Sequence, residues 1–157
     1  MEETIFDDLP KLLNCTTNVQ DVIRVILIES REAMREGIRH MLSDDESIKV
    51  IAESRSVKEA VPQIQKLYPD IVILGGDHAG IESLKMIRQI GRSANGISVV
   101  MLSDEHDLLE KAVEQGAVAF LTRDIERNEL ISAIRIIYLW RSILFQNDEN
   151  FTLVKFS

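Results

Sequence analysis

Apolar residues fall along this chain in short runs, separated by stretches where they recur every three or four positions. IRVILI (23–28) is β-branched and continuous, the signature of a buried strand. Over 31–43 the apolar positions become Met34, Gly37, Ile38, Met41 and Leu42, a helical spacing. IKVIA (48–52) predicts the second strand. Ser56-Val57-Lys58-Glu59 has the form of a capping box, so a helix is expected to begin there, with Val57, Ala60, Val61, Ile64 and Leu67 on its apolar face. Pro62 removes a helical hydrogen bond, which predicts a kink or a late start.

The alternation continues. IVIL (71–74), ISVVML (97–102) and VAFLT (118–122) read as strands. Helices are predicted over 81–91, 105–115 with Gly116 as its stop, and 126–142. Five βα units without clean polar alternation in the strands imply a parallel sheet covered by helices on both faces. Right-handed crossovers then favour the doubly wound order 2-1-3-4-5, with its site at the carboxyl ends of strands 1 and 3. The domain is expected over 22–142, preceded by an extension at 1–20 and followed by a tail at 143–157. The extension is either a mobile tail or a segment docked on the domain.

Composition narrows the function. The 157 residues carry a formal net charge of −8, which argues against direct nucleic-acid binding. Cys15 is the only cysteine, so no internal disulfide or zinc spacing exists, and a reduced, cytoplasmic setting is expected. The acidic start lacks the pattern of a signal peptide. No apolar run approaches the ~20 residues needed to cross a bilayer.

The residues just past the strands are the candidate site. Glu29 and Ser30 follow strand 1, Gly75 and Gly76 follow strand 3, Ser103 follows strand 4 and Arg123 follows strand 5. No nucleophile–base pair, Walker-type loop or paired carboxylates appear among them, so an enzyme is not expected.

IRVILIESREAMREGIRHML (23–42), PDIVILGGDHAGIESLKMIRQI (69–90), SVVMLSD (98–104) and EQGAVAFLTRDIERNELISAIR (114–135) resemble a bacterial response-regulator receiver domain, nearest to those preceding a LuxR-type DNA-binding domain. The resemblance covers roughly residues 22–142. It implies a flavodoxin-like (βα)5 fold in a two-component signalling or transcription-regulatory protein. In the family, two acidic residues after strand 1 hold Mg²⁺, an Asp ending strand 3 takes the phosphoryl group, and a hydroxyl and a Lys contact its oxygens. By position these become Glu29 and Ser30, Gly75, Ser103 and Arg123, with Phe120 as the switch aromatic.

The departures carry the functional expectation. An aspartyl phosphate needs a carboxylate, and Gly75 has none. Mg²⁺ wants several hard oxygen ligands, and one carboxylate of three remains. The chain therefore resembles a pseudo-receiver that acts by protein contact, with no cofactor and weak or absent Mg²⁺ binding. Asp77 is the alternative acceptor, two residues on, with a plain loop Asp as the simpler reading; His78 is read as a loop histidine. A further alternative is an anion- or metabolite-sensing pocket built on the Gly75-Gly76 amides, Ser103 and Arg123. Arg123 is expected to pair bidentately with Glu29 across the vacated pocket, against the alternative that both ends are solvated.

The last helix, NELISAIRIIYLWRSILF (128–145), has more apolar residues than one stripe requires. Leu130, Ile134, Ile137, Tyr138 and Trp140 are taken as an interaction surface for a protein partner or homodimer, with no membrane and no direct nucleic acid involved. The 1–20 extension, or a short strand in NFTLVKFS (150–157), is the intramolecular alternative for covering its second face. No helix-turn-helix pattern is found, which leaves open a stand-alone receiver or a piece of a longer regulator.

Overall fold

The computed structural model describes residues 21–75, 81–93, 96–147 and 153–155. In chain order the elements are β1 (Ile23–Ile28), α1 (Glu32–Ser43), β2 (Ile48–Ser54), α2 (Val57–Leu67) and β3 (Ile71–Gly75). They continue with α3 (Ile81–Ser93), β4 (Ser98–Leu102), α4 (Leu108–Gln115), β5 (Ala119–Leu121), α5 (Arg127–Asn147) and β6 (Leu153–Lys155). The sheet order is β2-β1-β3-β4-β5-β6, and every neighbouring pair is parallel. The expected order 2-1-3-4-5 is present, and β6 extends it beyond β5, so the short strand anticipated in the tail forms.

The central strands β3 and β4 are almost continuously apolar because they are covered on both faces. Along β3, Ile71 and Ile73 join a core layer with Ile38 and Leu42 of α1 and Leu130, Ala133, Ile134 and Ile137 of α5. Val72 and Leu74, alternating with them, join the opposite layer with Ala60 and Ile64 of α2, Met86, Ile87 and Ile90 of α3, and Ala112 of α4. A strand side chain points up or down at every second residue, so two helical layers need both sets apolar.

Local signals set the element ends. Ser56 caps α2, its side chain accepting from the Glu59 amide at 3.2 Å. Glu59 reaches back to the Arg55 amide at 3.4 Å, one residue earlier than a capping box requires. Helix α2 runs unbroken from Val57 through Pro62, so the late start expected from the proline does not occur. Gly116 ends α4 at φ 109°, a left-handed conformation that a glycine adopts without steric cost.

Helix α5 corrects one expectation. Leu130, Ile134 and Ile137 recur at the spacing of one helical stripe, and that stripe faces the sheet: they are 0%, 0% and 5% exposed. They belong to the domain's own core and cannot form a docking surface. Tyr138 and Trp140 are half-buried beside the stripe, with Tyr138 packed against the same core layer. Ile136, roughly 120° around the helix from Leu130, is also buried, so a second face of α5 is covered there. Arg127 and Arg135 of α5 pair with Asp44 and Asp45 at the α1–β2 turn, tying the two helices of this layer together.

Candidate functional site

Strand register explains which side chains meet beyond the carboxyl ends. β1 and β3 pair with Ile28 opposite Leu74, so the next step brings Glu29 beside Gly75. Alternation continues the α1/α5 side of Val25 and Leu27 to Glu29, of Ile71 and Ile73 to Gly75, and of Leu121 to Arg123. The same rule sends Ser103, which follows Leu102, to the other side. The pocket is therefore built from residues 29, 75 and 123, with Ser103 behind it.

From β1 to β5 is three strand spacings, about 14 Å at the usual separation. Only long side chains span it. Glu29 and Arg123 do: Arg123 Nη2 lies 3.8 Å from Glu29 Oε2, with the side chains 6% and 1% exposed. The pairing expected from the sequence is present. It is a charge contact rather than the bidentate fork anticipated, since 3.8 Å exceeds hydrogen-bond reach.

Glu29 has other work. Its Oε1 accepts from the Arg31 amide at 3.1 Å, satisfying an N–H at the N-cap of α1, where Arg31 provides no side-chain cap of its own. A carboxylate there also complements the positive end of the helix. The Glu29 carbonyl accepts from Arg35 Nη1 at 3.0 Å, and its amide donates to the Ser54 carbonyl at 3.0 Å. Oε2 is buried and accepts no hydrogen bond among the described residues, so Arg123 is its electrostatic complement.

Gly75 explains the space. A Cβ built on it would overlap Glu29 Oε2 and lie 3.0 Å from that side chain's carboxyl carbon. Its backbone is not in the left-handed region, unlike Gly96 and Gly116, so the glycine answers to space and not to φ. The carboxylate of Glu29 occupies the volume that a side chain on β3 would need.

Ser30 is exposed. Ser103 is fully buried; its Oγ accepts from the Glu105 amide at 3.1 Å, and its own amide donates to the Leu121 carbonyl at 2.9 Å. Phe120 is fully buried in the α2–α3–α4 layer. Gly76, Asp77 and His78 lie outside the described residues. Sequence reasoning passed over Asp104, whose Oδ1 accepts from the Arg123 amide at 3.0 Å and fixes the β5 end to the β4 end. Its adjacency to Ser103 in the run MLSDE was the available signal. It also passed over Arg31 and Arg35, which anchor Glu29.

Comparison with known proteins places this arrangement. Residues 25–135 match the response regulator receiver domain family. The chain belongs to that family. It is 33% identical over 119 residues to the response regulator UvrY of Escherichia coli K12, covering 74% of this chain and 55% of that protein. It is 29% identical to the response regulator GacA of Pseudomonas protegens, covering 74% and 56%. The receiver thus spans about half the length of the curated relatives it matches. The signal receiver domain of NarL from Mycobacterium tuberculosis superposes with a TM-score of 0.70 at 24% identity, covering 76% of this chain and 98% of that one. The isolated receiver domain of RcsB from Salmonella enterica gives 0.63 at 19% identity, covering 84% and 94%.

The Mg²⁺ that the family implies can be tested against the residues present. An octahedral hard cation takes several oxygen ligands. Glu29 is the one carboxylate at the three positions concerned; Ser30 supplies an exposed hydroxyl and Gly75 nothing. Glu29 already serves the Arg31 amide and faces a guanidinium whose charge opposes a second cation. No group of three or more His, Cys, Asp or Glu able to hold a metal occurs among the described residues. These residues do not fit Mg²⁺.

Proposed function

We propose that this receiver is a signalling module that works by protein–protein contact, without taking a phosphoryl group on β3 and without Mg²⁺. The observation that carries the reading is the buried Glu29 carboxylate lying over Gly75 and facing Arg123. A phosphoryl group arriving there would meet a carboxylate of its own sign and no nucleophile on β3. Phosphoryl transfer depends on charge neutralisation by metal and cations, and here the cation is already engaged by an acid. The same occupancy disfavours an anion-sensing pocket.

The setting we infer is gene regulation in the cytoplasm, as part of a two-component-type system, with no catalysis by this chain. Similarity to regulators such as UvrY and GacA supports the setting. The net charge of −8 supports action through a partner rather than direct contact with nucleic acid. No helix among the described residues is long and apolar enough to cross a membrane. For the contact surface we propose the two flanks of the buried α5 stripe, Tyr138 on one side and Trp140 on the other, meeting a partner protein or a second copy. An apolar body with a polar tip suits both residues to an interface.

The test is intact mass after incubation with Mg²⁺ and a small phosphoryl donor, for the wild type and for Asp77→Ala. No adduct on either protein is the expected result. An adduct that disappears in Asp77→Ala would overturn the reading and make Asp77 the acceptor.

A further inference from the structure

The glycine at the end of β3 lacks a side chain where the glutamate at the end of β1 places its carboxylate. Together they make a single device. We infer that Glu29 supplies, from β1, the carboxylate that β3 lacks, so that Glu29 in its buried position and any side chain at position 75 exclude each other. This rests on the reading that β3 takes no phosphoryl group, and it assigns Glu29 as the positioning residue of the pocket.

Three observations converge. A Cβ at 75 would overlap Glu29 Oε2. Gly75 has no conformational need to be glycine. The contact is with the far end of the Glu29 side chain, which is 1% exposed and can yield only by giving up the Arg31 amide or the Arg123 guanidinium. Its two oxygens look in different directions, Oε1 to the Arg31 amide at the start of α1 and Oε2 to the Arg123 guanidinium after β5. Arg123 in turn donates its amide to Asp104 after β4. One carboxylate therefore joins the ends of β1, β4 and β5 to the first turn of α1, passing over β3. If a side chain at 75 displaces it, both links break together.

The consequence is functional. A receptor pocket that ligands or phosphoryl donors switch must have an empty place for them. Here that place is filled by a side chain of the protein itself, and the α1 start and the β4 and β5 ends are held by its non-covalent contacts. Adding an acid at position 75 alone would not rebuild a switch, because it would first have to expel Glu29.

The experiment is thermal unfolding of the full chain carrying Gly75→Ala in three backgrounds: wild type, Glu29→Gln and Glu29→Ala. Alanine in a strand is ordinarily better than glycine, since glycine loses more freedom on folding. The expected result is a reversal of sign. Gly75→Ala should lower Tm by about 3–6 °C where residue 29 is Glu or Gln, for a domain of this size. It should leave Tm unchanged or raise it in Glu29→Ala, where the space is vacant. If Glu29→Ala does not fold, Glu29→Ser, short but polar, takes its place. Amide exchange at Arg31 gives a second readout. Its protection should fall in Gly75→Ala as it does in Glu29→Ala, because the same carboxylate leaves it.

The same Tm change in all three backgrounds, or an Arg31 amide that stays protected in Gly75→Ala, would overturn the inference. Its failure is distinct from failure of the functional reading. A phosphoryl adduct on the wild type would sink the latter while the sign reversal could still be observed. No adduct together with equal Tm changes would sink only the former.

Discussion

The pocket at the strand ends and the helix α5 are the two places where the residues depart most from a plain receiver scaffold, the first by losing acids and the second by an excess of apolar side chains, and they resolve differently. In the pocket the odd residues explain one another: a missing side chain at Gly75, a carboxylate at Glu29 that fills its volume, and a long cation at Arg123. In α5 the excess divides. Leu130, Ile134 and Ile137 go to the domain core, and Tyr138 and Trp140 remain half-buried on opposite sides of that stripe. Unusual residues that are neighbours across a sheet can compensate each other. Unusual residues around a helix point in different directions and must be assigned one face at a time.

The largest expected effect separates the two faces of α5. Ile134 is fully buried against the sheet, so Ile134→Ala should cost about 2–5 kcal/mol in denaturant unfolding. A loss below about 1 kcal/mol, the range of ordinary surface substitutions, would return Ile134 to the surface and undo the contrast. Next is the pocket itself. Arg123→Met keeps much of the volume but leaves the Glu29 carboxylate buried without its complement. Removing one member of a buried pair costs on the order of 3 kcal/mol. The same unfolding series checks it. An unchanged midpoint would show that Glu29 does not need the guanidinium.

Much of this architecture was legible because its signals are local and repeated. The change between strand and helix spacing located all five βα units, and β-branched runs such as Ile23–Ile28 left little doubt about buried strands. Convergence of residues 29, 75 and 123 was legible too, since a parallel sheet brings its carboxyl ends together. What could not be read was side-chain volume. That Glu29 would turn across β3 depends on the Arg31 amide and the empty space at Gly75, and neither is a sequence motif. The faces of α5 were misassigned because an apolar count over 128–145 does not separate the stripe facing the sheet from the residues on either side of it. The strand β6 was anticipated from Leu153 and Val154, but its parallel partner β5 is a property of where α5 delivers the chain.

A third, smaller effect sharpens the α5 side of the contrast. Trp140 is half-buried, so Trp140→Ser should destabilise by about 1 kcal/mol, well below a fully buried aromatic. Partner capture, or a concentration-dependent mass from light scattering, should change more than stability does. If stability falls as far as in Ile134→Ala while association is untouched, the flank belongs to the fold and the interface lies elsewhere.

The smallest effect is expected at Ser30, and it tests whether the pocket is closed by chemistry or merely short of ligands. Ser30 is exposed, so Ser30→Asp should alter stability by no more than about 0.5 kcal/mol. It restores an acidic pair after β1, which the metal-binding members of the family possess. If scarcity of carboxylates were the whole obstacle, this variant would begin to bind a divalent ion. The structure argues otherwise. Glu29 would still face Arg123, and a divalent cation would have to approach a guanidinium near a carboxylate already hydrogen-bonded to the Arg31 amide. Titration with Mn²⁺, followed by water proton relaxation, should therefore show no specific binding in the wild type or in Ser30→Asp. Binding gained by Ser30→Asp alone would mean that Arg123 yields readily, and that the pocket is held by a weaker contact than its burial suggests. Binding gained only when Arg123→Met is added would identify the guanidinium as the cation that has taken the metal's place.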